Sequence, residues 1–101
     1  FRIGPAEVEE CLLSHPAVAE GAVIAKPDPD RGAIVKAVVS TRPGVEGDAA
    51  LAQALKDHVK TRLAAYKAPR EVEFVDGFEL TSSGKINRRT LREAELAKTR
   101  G

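Results

Sequence analysis

The sequence predicts a small α+β domain in which a sheet of about three strands is flanked by helices. Three observations point there. Residues 48–65 carry an apolar residue at every fourth position (Leu51, Leu55, Val59, Leu63), the stripe of an amphipathic helix. Two runs rich in β-branched residues, 18–25 (VAEGAVIA) and 34–41 (IVKAVVST), are separated by a turn rich in Pro and Asp. The 101-residue chain is 43% hydrophobic but only 4% aromatic, enough for one core built from Val, Ile, Leu and Ala.

Each element has a local reason. Gly4-Pro5 opens a first helix, because proline in the first turn gives up no needed N–H. Val8, Cys11 and Leu12 then recur at helical spacing, Glu7 suits the positive end of the dipole, and His15-Pro16 stops the helix. The strand over 18–25 follows, and residues 26–32 (KPDPDRG) read as loop. The strand over 34–41 is almost continuously apolar, which predicts burial on both faces. Asp48 is placed to cap the long helix, which Lys67-Ala68-Pro69 closes. Residues 71–76 (EVEFVD) alternate acidic and apolar, as a half-exposed strand does. Asn87 is placed to cap a last, basic helix, with Leu91 and Ala94 on one face and fraying beyond about Leu96.

The formal net charge of +1 argues against general attraction to nucleic acid or an anionic membrane. The charge is uneven, however: from Ser82 onward six bases stand against two acids. A single cysteine, Cys11, excludes an internal disulfide and fits a reducing, cytoplasmic setting. No run is long enough to span a bilayer, and no signal peptide is visible. The chain opens on Phe1 without an initiator Met, which reads as one domain, residues 1–101, of a longer protein.

The strongest candidate for chemistry is Thr81-Ser82-Ser83-Gly84-Lys85-Ile86-Asn87-Arg88. Hydroxyls and a glycine suggest a flexible loop with a lysine at its tip, a compact cation able to meet negative charge developing on a phosphate or carboxylate oxygen. The first glycine of a Walker phosphate loop is missing, and Ile86 stands where a Ser or Thr is needed. On composition alone the segment equally reads as a solvated loop leading into a basic helix. Arg2, Arg31, Lys60 and Arg70 lie near element ends, where several cations could converge on a nucleotide phosphate or simply face water. His15 and His58 lack a third group for a triad, with His58 on a solvent-side position of its helix. Cys11 falls on an apolar stripe and reads as a buried structural thiol. Asp28 and Asp30 read as turn residues, and no metal site is expected.

Five segments in order resemble the adenylate-forming superfamily of acyl-CoA synthetases, peptide-synthetase adenylation domains and luciferases. Residues 1–9 (FRIGPAEVE) are similar to the family's YRIGPxEVE, and residues 13–22 (LSHPAVAEGA) to HPxVxEAAV. Residues 27–36 (PDPDRGAIVK) are similar to PDPxRGExVKAFV, 66–75 (YKAPREVEFV) to YKxPRxVEFV, and 83–88 (SGKINR) to SGKIxR. The Arg31-Gly32 pair and the YKAPR segment look most like the medium-chain acyl-CoA synthetases. One departure stands out: the family usually reads Leu-Pro-Lys-Thr before SGK, and here Phe78-Glu79-Leu80-Thr81 removes a proline and a base and adds an acid.

The resemblance implies the C-terminal lid domain of an AMP-forming acid–thiol ligase, inactive without an N-terminal domain of the same enzyme. That domain would bind most of the ATP with its Mg and the carboxylic acid. Lys85, beside Gly84, would be the catalytic lysine of acyl-adenylate formation, with Arg2 near the adenylate or substrate. After domain rotation, Phe1, Arg31, Lys60, Ala68, Pro69 and Arg70 would contact CoA. A carrier-protein thiol in place of CoA is the alternative within the superfamily. An independent binding module, for instance for RNA, is the alternative outside it, though the predicted sheet lacks the aromatics of a stacking platform.

Overall fold

The structure, a computed structural model, describes residues 5–30 and 32–100. The elements run α1 (Pro5–Leu13), β1 (Val18–Asp28), β2 (Gly32–Thr41), α2 (Ala49–Arg62), a short 3₁₀ turn (Ala65–Lys67), β3 (Glu71–Phe74) and α3 (Arg88–Arg100). The α+β expectation holds, with one mixed three-stranded sheet in the order β1-β2-β3. β1 and β2 form an antiparallel hairpin whose register runs from Val18 opposite Thr41 to Asp28 opposite Gly32. β2 and β3 pair in parallel, Lys36 opposite Glu71 to Val39 opposite Phe74. A parallel pair needs a crossover connection, which α2 supplies.

β1 is longer than the sequence suggests. Lys26, Pro27 and Asp28, read above as loop, continue the strand and pair with Ile34, Ala33 and Gly32. Proline is tolerated there because β1 is an edge strand. Gly32 closes the hairpin with φ +79°, a conformation that costs a glycine little.

Helices cover both faces of the sheet. On one, Val23, Ala37 and Val39 pack with Val8, Cys11 and Leu12 of α1 and Leu55 and Val59 of α2. Asp48 caps α2 by accepting the Leu51 N–H at 2.9 Å. That helix stops at Arg62, short of Ala65, where the chain tightens into the 3₁₀ turn. On the other face, the buried Ala22, Ile24 and Val38 lie on the side that α3 covers.

This second face also carries a charge network that periodicity conceals. Lys36, in the middle of an apolar strand, is buried, and its Nζ donates to Glu73 at 2.7 Å and to Glu95 of α3 at 2.5 Å. Lys26 pairs with Glu71 at 2.7 Å, and Lys98 with Glu73 at 2.8 Å. The acidic side of β3, read as solvent-facing, is therefore half-buried against lysines and α3. On α3 the inward residue beyond Leu91 is the buried Glu95, while Ala94 is exposed. The helix also runs on to Arg100 instead of fraying after Leu96, its last turn tied to β3 through Lys98.

His58 departs from its expected solvent-side place. Its Nε2 lies 3.0 Å from the Cys11 carbonyl and 2.8 Å from Ser14 Oγ, while Nδ1 accepts from Arg62 Nε at 3.3 Å. Burial first, and the Arg62 charge second, push its pKa below the ordinary histidine value. A folded-state pKa below the unfolded one means stability present at neutral pH and lost as pH falls through that lower value. Urea unfolding of the domain is thus expected to show stability falling from pH 7 to pH 5, and His58→Gln to flatten that slope.

Candidate functional site

Lys85 sits on an ordered hairpin, not at the tip of a loose loop. Leu80 and Ile86 form an antiparallel bridge. The Thr81 carbonyl accepts the Gly84 N–H at 2.9 Å, and the Thr81 N–H donates to the Lys85 carbonyl at 2.7 Å. One step further out, the Asn87 N–H donates to the Glu79 carbonyl at 2.8 Å. Gly84 makes the turn possible: its φ is +83°, where a side chain would be strained. The bend thus falls on 82–84, and Lys85 begins the returning arm. Two residues on, Asn87 Oδ1 accepts the Thr90 N–H at 3.2 Å and caps α3 as expected.

The hairpin, α1 and β1 enclose a groove of about 550 Å³, lined among others by Glu9, Glu20, Thr81, Gly84, Lys85 and Arg88. A second groove of about 470 Å³ lies between the start of β2, α2 and the 3₁₀ turn. Lys60, Ala68, Pro69 and Arg70 line it together, joined by Lys56, Asp57 and Tyr66. The Arg70 N–H donates to the Val35 carbonyl at 2.8 Å, which ties that turn to the central strand. The two grooves share no lining residue. Phe1, Arg2 and Arg31 lie outside the described residues.

The lysines divide along the same line. Lys26, Lys36, Lys67 and Lys98 are held by carboxylates. Among the described residues, Lys56, Lys60 and Lys85 have no carboxylate partner, and each lines one of the two grooves. Lys56 was missed in the sequence. Its signal is its position one helical turn before Lys60, which places both ammonium groups on one face of α2. Among the described residues, no cysteine or histidine lines either groove. Cys11, the buried thiol expected, has its pKa pushed up, first by burial. The lysines of the two grooves can hold and polarise anionic groups.

A family model, the AMP-binding enzyme C-terminal domain, matches residues 7–85. The chain belongs to this family. It is 52% identical over 95 residues to the acetyl-coenzyme A synthetase of Bacillus subtilis (strain 168), with 94% of this chain and 17% of that protein aligned. It is 50% identical over 97 residues to ACSM1, a mitochondrial acyl-coenzyme A synthetase of Homo sapiens, again covering 94% of this chain and 17% of the relative. The crystal structure of an acyl-CoA synthetase from Brucella canis superposes with a TM-score of 0.93 at 52% identity, over 98% of this chain and 18% of that one. The chain thus spans about 17% of the length of the curated relatives it matches. Among the described residues, no helix of this AMP-binding enzyme C-terminal domain is long and apolar enough to cross a membrane.

Proposed function

We propose that this chain is the lid domain of an AMP-forming acyl-CoA synthetase and serves the enzyme's two half-reactions with its two grooves. The observation that carries the reading is the separation of the unpaired lysines: Lys85 in one groove, Lys56 and Lys60 in another that shares no residue with it. Family membership and the names of the relatives supply the reaction class.

In the first half-reaction, a carboxylate oxygen attacks the α-phosphorus of ATP and diphosphate leaves. Lys85 carries an exposed ammonium on a hairpin arm, and it meets the oxygens on which charge accumulates. ATP, its Mg and the acid are held mainly by the N-terminal domain of the same enzyme, to which Arg2 lends a further cation. In the second, the thiol of CoA attacks the acyl carbon and AMP leaves. Lys60 and Arg70, with Phe1, Arg31 and the Ala68-Pro69 backbone, receive the phosphates of CoA after the domain turns its other side to the active site. A lysine point charge and an arginine fork suit a diphosphate and a 3′-phosphate.

The test uses the full-length enzyme. Lys60→Ala combined with Arg70→Ala is expected to raise KM for CoA by about tenfold or more, the loss of charge-assisted hydrogen bonds. Release of diphosphate in single-turnover adenylation should be unchanged. Equal use of CoA and a carrier-protein thiol by the wild-type enzyme would contradict the assignment of this groove to CoA.

A further inference from the structure

Among the described residues, the hydrogen bonds of the Lys85 hairpin are internal, apart from the Asn87 cap on α3. Thr81 bonds with Gly84, Lys85 and Ser83, and Glu79 bonds with Asn87. They fix the shape of the turn but not its place on the domain. Among the described residues, no hydrogen bond or ion pair joins residues 79–87 to α1, α2 or the sheet. The first side chain after Lys85 that is bonded to α1, among the described residues, is that of Arg88, at the start of α3.

Arg88 is anchored in an unusual way. Its guanidinium meets the Glu9 carboxylate with both prongs, Nη1 on Oε2 and Nη2 on Oε1. Glu9 projects from α1 and is only 7% exposed, although it is a carboxylate. Its Oε2 also accepts the Val23 N–H of edge strand β1 at 2.7 Å. One buried carboxylate therefore joins α1, β1 and the residue three places after Lys85. A two-pronged contact fixes orientation as well as distance. Both Glu9 and Arg88 line the same groove as Lys85.

We propose that Glu9 and Arg88 are positioning residues for adenylate formation, a latch that sets where the Lys85 hairpin stands on the domain. The proposal rests on the reading of Lys85 given above. Only Ile86 and Asn87 separate the latch from the lysine, and both are conformationally fixed, Ile86 by its bridge to Leu80 and Asn87 by capping α3. Loosening Arg88 leaves the turn intact but lets the hairpin move as a unit, which withdraws the ammonium from the phosphate.

The experiment measures both half-reactions in the full-length enzyme for Arg88→Gln, Arg88→Lys and Glu9→Gln, each alone and combined with Lys85→Ala. Glu9→Gln keeps an acceptor for the Val23 N–H and loses the charge, so it guards against a variant that merely fails to fold. The expected result for Arg88→Gln and Glu9→Gln is a fall in adenylate formation of about 10–100-fold, the scale of a 1 Å misplacement. Thioester formation from supplied acyl-adenylate should stay within about twofold of wild type. Arg88→Lys keeps the charge without the fork and should fall between. In the Lys85→Ala background the latch substitutions should cost nothing more, because the residue they position is gone. Equal losses in both half-reactions, or losses that multiply with Lys85→Ala, would reduce the pair to ordinary structural support. Lys85→Ala crippling adenylation while Arg88→Gln and Glu9→Gln spare it would overturn the latch alone. A wild-type rate of adenylation in Lys85→Ala would overturn the underlying reading of the groove.

Discussion

Lys85→Ala in the full-length enzyme is expected to lower acyl-adenylate formation by about 10²–10³-fold, the usual cost of removing a group that stabilises developing charge. Thioester formation from supplied acyl-adenylate should remain within about twofold of wild type, because the proposed two-groove arrangement gives that step to the other groove. The structure makes this a clean substitution. Lys85 is exposed, its ammonium has no carboxylate partner among the described residues, and the hairpin is held by backbone bonds that alanine keeps. Unfolding free energy of the isolated domain should therefore change by no more than about 0.5 kcal/mol. Separate assays of diphosphate release and acyl-CoA production, with a urea melt of the domain, check all three statements.

Lys36→Met is the substitution expected to harm the fold most, by about 3–5 kcal/mol, the cost of breaking a buried ion pair from one side. The side chain of Lys36 is 6% exposed and that of Glu95 is 4% exposed, so neither can exchange its partner for water. Glu73 keeps Lys98 when Lys36 is lost, whereas Glu95 loses its 2.5 Å contact and keeps Lys26 at the longer distance of 3.8 Å. Replacing both members, Lys36→Met with Glu95→Leu, should recover much of the loss by removing the buried carboxylate that Lys36 faced. Urea unfolding of the two variants decides this. The pH dependence has a fixed sign at both ends. Hydrogen bonds from Lys36 and then Lys98 hold the Glu73 carboxyl below its ordinary pKa, so its contribution is present above that value and disappears as pH falls through the lowered one. Burial alone would lower Lys36, yet the hydrogen bonds to Glu73 and Glu95 outweigh it and raise the ammonium above the ordinary lysine range. Its contribution is thus full at neutral pH and lost only as pH climbs through that raised value.

The order of elements and most of the core were legible because they follow from period. Val8, Cys11 and Leu12, then Leu55 and Val59, are buried as their spacing requires. Periodicity failed where a tertiary partner changes what a residue can do. Lys36 reads as an interruption of an apolar strand, but Glu73 and Glu95 make its burial tolerable. His58 reads as solvent-facing on its own helix, and only the approach of α1 turns it inward to Cys11 and Ser14. Pro27 reads as a strand breaker until the strand is known to lie at the sheet edge.

The candidate site divides in the same manner. Lys85 and the Lys60, Ala68, Pro69 and Arg70 set came from motif resemblance, not from chemistry visible in composition. The gathering of the latter four in one groove depends on how α2 packs beside β2, a relation no local pattern states. Glu9 and Arg88, separated by 79 positions, carry no signal of pairing in a single sequence.

The most direct test compares Lys85→Ala with the Lys60→Ala, Arg70→Ala double variant in the two half-reactions of the same full-length enzyme. If the domain offers its grooves in turn, the first variant loses adenylation and spares transfer to CoA, and the second does the reverse. Loss of the same half-reaction in both variants would mean that the domain works through a single face.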